Sequence, residues 1–438
     1  MNLAERDHNV IWHPYTQMKT AALPVPIVRG EGALLFSEDG TSYIDAVASW
    51  WVNLHGHAHP YIAQKVTEQL NTLEHVIFAG FTHPAAVTFA ERLLQILPSN
   101  QSRIFYSDNG STAVEVAMKM AIQYWNNQDT PKHKIIAYRD SYHGDTFGAM
   151  AISARSAFTV PFWPYLFEVE FIDVPVAGKE EETINQLEAL AKQDDIAAFI
   201  FEPLVLGTAG MVMYSPEVLD RLLQICQQHN ILTIADEVMT GFGRTGRTFA
   251  CDYLHHQPDM ICMSKGLTGG TMALGATSAS EKIYNGFLYD DKAKTLFHGH
   301  SYTANPVACA AGLASMDLLL AQEAQDNIKR IVEHHTAFAQ SINKLPQVAQ
   351  VRQQGTILAV EFEDGTTSYF SDLRDTLYSY GLDHGVILRP LGNIIYIIPP
   401  YCITDEQLEQ VYEVIRGMQQ VVAGAKHYPR PNQTTLHD

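Results

Sequence analysis

The sequence is poor in positive charge and in long apolar runs, and each shortage excludes a class of protein. It has 29 lysines and arginines against 48 aspartates and glutamates, a formal net charge of −19 at pH 7. Nucleic acids and anionic membranes both bind through cationic surfaces, so neither is an expected partner. No window approaches the roughly 18 uninterrupted apolar residues of a spanning helix. We therefore expect an enzyme that acts on small molecules.

Cysteine is also scarce. The five cysteines are scattered and odd in number, and no two form a C-x-x-C pair. This pattern disfavours a disulfide framework or a zinc site and is typical of a reducing cytosol. The first residues, MNLAERDHNVIWHPY, contain no basic segment followed by an apolar run. The sequence predicts a soluble, cytoplasmic protein.

What is present indicates a large α/β protein. Hydrophobic residues make up 46% of the chain and charged residues 18%, which suits a well-buried globular protein. Short apolar runs alternate with helix-like stretches, the pattern of a mostly parallel sheet flanked by helices. The predicted strands are RIFYSD (103–108), KIIAYRD (134–140), AAFIFEP (197–203), ILTIAD (231–236) and DMICMSK (259–265), and the clearest predicted helices are 111–125 and 216–230.

The two ends of the chain differ from its middle in their predicted secondary structure. Helical periodicity begins near residue 315, a last helix is predicted from Asp405, and the first 50 residues are rich in turns and short strands. A chain of 438 residues exceeds the usual size of one core. We predict one smaller α+β domain of residues 1–50 and 316–438, packed on a large domain of residues 51–315. Residues 426–438 are interpreted as a frayed tail.

The stretch TGFGRTG (240–246) matches the G-x-G-x-x-G spacing of a dinucleotide-binding loop. That loop requires a strand that ends at the first glycine and a helix that opens on the last. Here the strand ends at Asp236, well before Gly241, and neither a cap nor an apolar stripe follows Gly246. We predict a tight turn without a dinucleotide.

Polar residues at the strand ends favour a different cofactor. Asp236 ends one predicted strand and Lys265 ends another, and ligands of parallel sheets bind beyond these ends. A lysine can bond to the aldehyde of pyridoxal 5′-phosphate, and an aspartate can keep its pyridine nitrogen protonated. A strand-end lysine alone is more often a solvated charge. The pair together predicts the pyridoxal phosphate site.

Two further segments suit this cofactor. Gly110 and Ser111 lie between a strand and a helix, where backbone N–H groups and hydroxyls can bind the phosphate. A role of Ser111 as helix N-cap is compatible with this. Tyr142, after the next strand, can stack on the cofactor ring, although a lone aromatic more often packs in a core.

Four motifs, IADEVMTGFGRTG, MSKGLTGG, DNGSTAVEVAMKMA and YHGDTFGAM, resemble in order the motifs of class III pyridoxal-phosphate aminotransferases. The resemblance implies fold type I, pyridoxal 5′-phosphate as cofactor, and catalytic roles for Lys265, Asp236 and Tyr142. It also implies a homodimer with active sites at the subunit interface. Ser301 would contact the phosphate of the partner subunit.

Four other segments, IWHPYTQM, SWWVNLHGHAHP, HGHSYTANPVAC and LRPLGNIIYIIPPY, are similar to one branch of that family. That branch aminates 8-amino-7-oxononanoate in biotin synthesis with adenosylmethionine as donor. The resemblance places Arg389 at the substrate carboxylate and Asp145 near the donor's amino acid portion. It assigns four more residues to the substrate pocket: Tyr15, Trp50, Trp51 and Gly299.

These assignments suit a long aliphatic acid, which needs an aromatic tunnel and one distant cation. From the residues alone, Trp50 and Trp51 could equally pack in the core, and Arg389 could form a surface salt bridge. The segment HGHSY departs from the family's HGPTF, with His300 and Ser301 in place of proline and threonine. Phosphate binding should survive this change.

Several alternatives stay open. Lysine could replace adenosylmethionine as donor, or the enzyme could act on ω-amino acids or diamines. A mutase would need no separate donor, and a ligand-sensing domain of a transcription regulator would need a basic DNA-binding module. The cluster His55, His57 and His59 lacks a cysteine or carboxylate partner in sequence, so no metal is expected there.

Overall fold

The computed structural model describes residues 1–363 and 372–424, so the predicted tail at 426–438 lies outside the described residues. The strands, in chain order, are β1 (Ile27–Glu31), β2 (Leu34–Ser37), β3 (Ser42–Asp45), β4 (Gln101–Ser107), β5 (Lys134–Tyr138), β6 (Glu170–Ile172), β7 (Ile196–Phe201), β8 (Val205–Leu206), β9 (Val212–Met213), β10 (Leu232–Asp236), β11 (Met260–Met263), β12 (Gly275–Ser280), β13 (Val348–Gln354), β14 (Ile357–Phe362), β15 (Val386–Ile387) and β16 (Ile394–Ile397).

The α-helices cover the sheet faces and the chain ends. In chain order they are α1 (Leu3–His8), α2 (Ala48–Trp51), α3 (Pro60–Leu70), α4 (Pro84–Ile96), α5 (Gly110–Asn127), α6 (Phe147–Ala151), α7 (Glu180–Ala191), α8 (Pro216–Gln228), α9 (Glu281–Asn285), α10 (Pro306–Leu320), α11 (Gln322–Ile342), α12 (Asp372–Asp383) and α13 (Asp405–Gly424). Short 3-10 helices span Val160–Tyr165, Ala250–Tyr253, Lys265–Thr268 and Lys292–Lys294.

The central sheet has seven strands in the order β4-β12-β11-β10-β7-β5-β6. All run parallel except β12, which pairs antiparallel with β11 and β4. All five predicted strands lie in this sheet, which confirms the mostly parallel α/β fold. Two strands were missed. β12 has the sequence GATSAS, without an apolar run to mark it, and β6 has only three residues.

The middle strands of this sheet are buried on both faces. Every residue of β7, β10 and β11 is buried. Strands covered on both faces read as continuous apolar runs, which is why the sequence displayed them. Burial of each Leu, Ile or Phe side chain here contributes about 1.5–3 kcal/mol. The polar residues at the ends of these strands therefore stand on a rigid base.

Helices α5 and α8 confirm the two clearest helix predictions, each beginning within one residue of the expected position. α5 is capped by Asn109, whose Oδ1 accepts the Thr112 N–H at 2.9 Å, while the Thr112 hydroxyl accepts the Asn109 N–H at 3.1 Å. The cap is therefore Asn109 and not Ser111. The Ser111 hydroxyl lies 2.7 Å from the Thr146 hydroxyl and accepts the Thr146 N–H at 3.2 Å.

The two ends of the chain meet in a second sheet, β1-β2-β3-β15. Its parallel pair joins Ile44 of β3 to Val386 of β15. A third sheet has the order β13-β14-β16, and α13 begins at Asp405 as predicted. A domain built from both ends of the chain requires a contact such as the pairing of β3 with β15. Helix α10 spans the predicted boundary at 315–316, and the boundaries themselves stay a prediction.

Helices α10 and α11 meet at Ala321 with a bend of 66°. Within the described residues no single helix is long and apolar enough to cross a membrane, and only this bent pair meets the length and composition test. Most residues of α10 are buried in the core. Helix α11 buries one face, which includes Ile328, Ile331 and Phe338.

The segment with the glycine spacing is a turn, as predicted. Consecutive turns follow β10, no helix opens at Gly246, and Gly243 and Gly246 have φ of 97° and 91°. The side chain of Arg244 is buried and donates to the carbonyl oxygens of Pro399 at 2.6 Å and Asn53 at 3.0 Å. The turn thus joins the two ends of the chain to the central sheet.

Candidate active site

The two predicted strand-end residues lie at one edge of the central sheet. Asp236 is the last residue of β10 and pairs with Cys262 of the neighbouring strand β11. Lys265 is separated from the end of β11 by Ser264 alone and begins a 3-10 helix with φ of 48°. The Ser264 hydroxyl donates to the Leu274 carbonyl at 2.7 Å, which anchors the backbone before Lys265.

Asp236 is held by a buried histidine. The Nδ1–H of His143 donates to Oδ2 of Asp236 at 2.7 Å, and the Val238 N–H donates to Oδ1 at 3.1 Å. The His143 backbone N–H donates to the Ser153 hydroxyl at 2.8 Å. Charge-assisted bonds of this kind fix the carboxylate in one orientation. Sequence reasoning placed His143 beside Tyr142 but gave no signal for its contact with Asp236.

The amine of Lys265 is available for chemistry. Burial lowers its pKa to about 8, against the opposing charges of Asp236 and Glu202. Nζ lies 4.5 Å from the centroid of the Trp51 ring and has no hydrogen-bond partner among residues 1–363 and 372–424. A lysine in this state can act as a nucleophile and as a base near neutral pH.

Glu202 is a further strand-end acid, which the sequence analysis missed. It is buried just after β7, and its two oxygens accept the N–H groups of Tyr142 at 2.8 Å and Gly207 at 3.0 Å. Burial raises its pKa to about 7. The rule that selected Asp236 also applies to the run AAFIFEP, so this residue could have been found.

The first turn of α5 fits a phosphate. Its early N–H groups have no acceptor within the helix, and those of Gly110 and Ser111 have none elsewhere in the described chain. A Cβ at Gly110 would lie 2.7 Å from Val238 Cγ1, and one at Gly144 would lie 2.2 Å from Ser111 Oγ. Glycines thus let this helix end approach the Asp236 side of the site.

Tyr142, Tyr15 and Asp145 form one polar cluster. The Tyr15 hydroxyl donates to Oδ2 of Asp145. Burial, together with Tyr15 and Asp145, raises the pKa of Tyr142 well above its usual value. Tyr142 therefore stays protonated. Its stacking on a cofactor ring stays a prediction.

Trp50 and Arg389 form the outer part of the site. The Arg389 guanidinium carbon lies 4.3 Å from the centroid of the Trp50 ring, and the Tyr15 ring meets Trp50 edge-on at 5.6 Å. Arg389 makes no ion pair with any residue of the described ranges. Phe158, which sequence reasoning missed, lies 6.3 Å from Tyr15. The result is an aromatic wall beneath an unpaired cation.

Trp51 has different surroundings from Trp50. Its residue is 5% exposed, whereas Trp50 is 38% exposed. Its ring packs edge-on against Tyr396 at 5.9 Å, and a Cβ at Gly207 would lie 3.2 Å from it. Trp50 therefore lies at the exposed edge of the site, while Trp51 packs beside Lys265 in the core.

Gly299 and Ser301 lie apart from the residues above. Both are exposed, in a loop where the Thr303 hydroxyl bonds the N–H and carbonyl of His300 at 3.1 and 2.8 Å. In the described part of the chain, no hydrogen bond joins Ser301 to the other predicted site residues. Its contact with a partner subunit stays a prediction.

Each of the clustered histidines has its own environment. His55 Nε2 lies 2.9 Å from the Ser315 hydroxyl, and His57 Nε2 lies 2.8 Å from Asp45 Oδ2. Burial lowers the pKa of His55 to about 3. Within the described ranges, no group of three or more His, Cys, Asp or Glu side chains could hold a metal ion.

Comparisons with known proteins show the family of this chain. The model of the class III aminotransferase family matches residues 15–418. The adenosylmethionine-8-amino-7-oxononanoate aminotransferase of Synechococcus elongatus is 46% identical, over 94% of this chain and 98% of its own.

Solved structures give the same result. A crystal structure of adenosylmethionine-8-amino-7-oxononanoate aminotransferase from Methanocaldococcus jannaschii has a TM-score of 0.91 and 32% identity, covering 95% of this chain and 98% of its own. An amine transaminase from an uncultivated Pseudomonas species, in its PLP-bound form, has a TM-score of 0.87 and 28% identity, covering 94% and 98%. The resemblance inferred from the motifs is confirmed, and this chain belongs to the class III pyridoxal-phosphate-dependent aminotransferases.

Proposed function

We propose that this protein aminates 8-amino-7-oxononanoate to 7,8-diaminononanoate, with S-adenosyl-L-methionine as amino donor, in biotin biosynthesis. The similar enzymes of Synechococcus elongatus and Methanocaldococcus jannaschii are named for this reaction. The observation that carries the proposal is Arg389, an unpaired cation over the half-exposed ring of Trp50. An aliphatic acid can lay its chain on the aromatic wall and pair its carboxylate with the guanidinium.

The residues at the sheet edge suit pyridoxal 5′-phosphate. Lys265 would bond to its aldehyde, Asp236 would face its pyridine nitrogen, and Tyr142 would cover its ring. The first turn of α5, with Gly110 and Ser111, would bind its phosphate. When bound, this cofactor supplies an electron sink for the carbon beside the transferred nitrogen.

The chain's own residues supply the proton transfers. The amine of Lys265 would act as the base that removes a proton from the donor carbon and as the acid that returns it. Its lowered pKa leaves much of the amine neutral near pH 8. The carboxylate of Asp236, held in one orientation by His143, would face the pyridine nitrogen. In the acceptor half-reaction the same lysine would transfer the proton in the opposite direction.

We further propose a cytoplasmic homodimer whose second subunit completes each site. Large apolar side chains are widely exposed on this chain, including Phe297 at 71% and Tyr302 at 65%, on either side of Ser301. Such exposure favours burial against another protein surface. Ser301 would then reach the phosphate of the partner subunit, and Gly299 would border the partner's substrate.

The amino donor can be identified by a half-reaction. Adenosylmethionine, lysine and alanine are added separately to the purified, cofactor-loaded protein, and the cofactor absorbance is followed. We expect conversion by adenosylmethionine and recovery of the original spectrum on adding 8-amino-7-oxononanoate. Conversion by lysine instead would identify lysine as the amino donor and leave the proposed acceptor unchanged. Conversion by alanine without recovery by that ketone would contradict the proposed function and favour an ω-amino acid or diamine aminotransferase.

A further inference from the structure

The turn that carries Trp50 and Trp51 has an unfavourable backbone. Ala48, Ser49 and Trp51 have φ of 49°, 61° and 66°. Residues with a Cβ avoid this left-handed region, and they remain there only where surrounding contacts impose it. The contacts that hold this turn therefore decide where the two indole rings lie.

The carboxylate of Asp45, at the end of β3, makes several of these contacts. The side chain is fully buried. Its Oδ2 accepts the Ser49 N–H at 2.7 Å and the Ser49 hydroxyl at 3.1 Å, and its Oδ1 accepts the Val47 N–H at 3.3 Å. The same Oδ2 lies 2.8 Å from Nε2 of His57. One carboxylate thus connects Val47 and Ser49 of the turn to His57, which follows the turn in sequence.

The hydrogen bonds also fix the tautomer of His57. Oδ1 of Asn53 accepts the Gly56 N–H at 2.7 Å, so the amide nitrogen of Asn53 faces His57 Nδ1 at 3.2 Å. An amide nitrogen donates, so Nδ1 accepts and the proton lies on Nε2, which donates to Asp45. The backbone N–H of His57 donates to the Gly32 carbonyl at 2.7 Å, which anchors the histidine from the other side.

We propose that Asp45 and His57 are positioning residues of the substrate pocket. Together they hold the strained turn so that Trp50 lies beneath Arg389 and Trp51 lies beneath Lys265. The distances from Trp50 to Arg389 and from Trp51 to Lys265, 4.3 and 4.5 Å, depend on the same four residues of backbone. The proposal goes beyond the identity of the substrate, and only its kinetic test rests on the proposed function.

The turn can be observed directly by fluorine NMR. The chain has five tryptophans, and in cofactor-loaded protein labelled with 5-fluorotryptophan their resonances can be assigned with W50F and W51F. We expect Asp45→Ala and His57→Leu to shift or broaden the resonances of Trp50 and Trp51. Those of Trp125 and Trp163, which lie outside the turn, should not move. Unchanged Trp50 and Trp51 resonances in these variants would overturn the proposal.

Conservative variants separate the hydrogen bonds from the mere presence of the side chain. Asp45→Asn can place its oxygen at the Oδ2 position and keep the contacts to Ser49 and His57. His57→Gln can keep an N–H donor near the Nε2 position. Both should retain near wild-type Trp50 and Trp51 resonances. If Asp45→Ala fails to fold, His57→Leu decides by the same resonances, because the His57 side chain is partly exposed.

The chain offers a matched control in another histidine–aspartate pair. His256 Nδ1 lies 2.9 Å from Asp220 Oδ2, away from the turn. His256→Leu should lower stability without moving the Trp50 and Trp51 resonances. Equal movement in His256→Leu and His57→Leu would show a global effect and would refute the positioning role.

The kinetic test uses 8-amino-7-oxononanoate. His57→Leu should raise its KM about tenfold, because a displaced Trp50 no longer holds Arg389 in place, and a misplacement of about 1 Å can cost up to 10²-fold. His57→Gln should restore the wild-type KM. Shifted resonances with an unchanged KM would overturn the role in the pocket. A wild-type enzyme inactive toward this acid would refute the proposed acceptor while leaving the NMR result valid.

Discussion

The site has an inner part at the sheet edge, with Asp236, Lys265 and Glu202, and an outer part with Trp50 and Arg389. The two parts differ in whether their charged groups have partners. At the sheet edge, Asp236 is buried and bonded to His143, and Glu202 is bonded to two backbone N–H groups. At the pocket, Arg389 lies on Trp50 with no acid beside it in the described chain. Under the proposed function, the groups needed in every turnover are fixed in advance, and the outer cation is left for the substrate to neutralise. Binding and chemistry should then be separable by mutation.

The largest effect should come from the inner part. Lys265→Ala removes the nucleophile and the base together, and we expect turnover to fall by about 10⁴-fold or more. Pyridoxal phosphate should still bind, but without a covalent bond. Steady-state assays and absorbance after gel filtration measure both. Lys282→Ala, which removes a lysine that pairs with Asp259, is the control. Sustained turnover by Lys265→Ala would refute the assignment.

A substitution at Asp236 tests whether the inner part serves both half-reactions. Asp236→Asn keeps the shape of the side chain but replaces the carboxylate that would face the pyridine nitrogen. Loss of one preorganised electrostatic contact costs about 10²–10³ in kcat. We expect a loss of this size in the donor and the acceptor half-reactions alike, measured by stopped-flow absorbance. A loss confined to one half-reaction would contradict this role.

The outer part should respond in binding. Arg389→Ala should raise the KM for the acceptor acid about 10- to 100-fold, because a hydrogen bond to a charged group is worth about 1.5–3 kcal/mol. Arg389→Lys should recover part of this. The methyl ester of the acid sharpens the test, since wild type should discriminate against it and Arg389→Ala should not. Undiminished discrimination by Arg389→Ala would place the carboxylate elsewhere.

The smallest predicted effect is a shift in pH dependence. The pKa of Lys265 is lowered to about 8, so apo-protein should capture pyridoxal phosphate covalently faster as pH rises through about 8. Above pH 7 Glu202 is ionised and holds the pKa of Lys265 up. Glu202→Gln should therefore move the midpoint to lower pH, with rates within tenfold of wild type. A midpoint that moves upward would contradict the coupling.

The sequence best predicted the site residues that follow the ends of strands. Asp236 and Lys265 follow apolar runs, and parallel strands bring their carboxyl ends to one edge however far apart they lie in sequence. The motif resemblance added Tyr15 and Arg389, which lie together around Trp50. No local pattern could have done so.

Other features depend on tertiary contacts that leave no trace in a sequence. β12 consists of small and polar residues, and the contact of His143 with Asp236 joins residues far apart in the chain. Trp50 and Trp51 are neighbours with different surroundings because their backbone is irregular. Periodicity assigns faces only in regular helices and strands.

The pairing of β3 with β15 sets an order of events during protein synthesis. Ile44 finds its partner Val386 only after almost the whole chain has left the ribosome. The central sheet, whose strands lie between these residues, can form earlier, since domains tend to fold as units during synthesis. Arg389 can meet Trp50 only after residue 389 has been synthesised. Strands β10 and β11, which carry Asp236 and lead into Lys265, can pair about 120 residues earlier in synthesis.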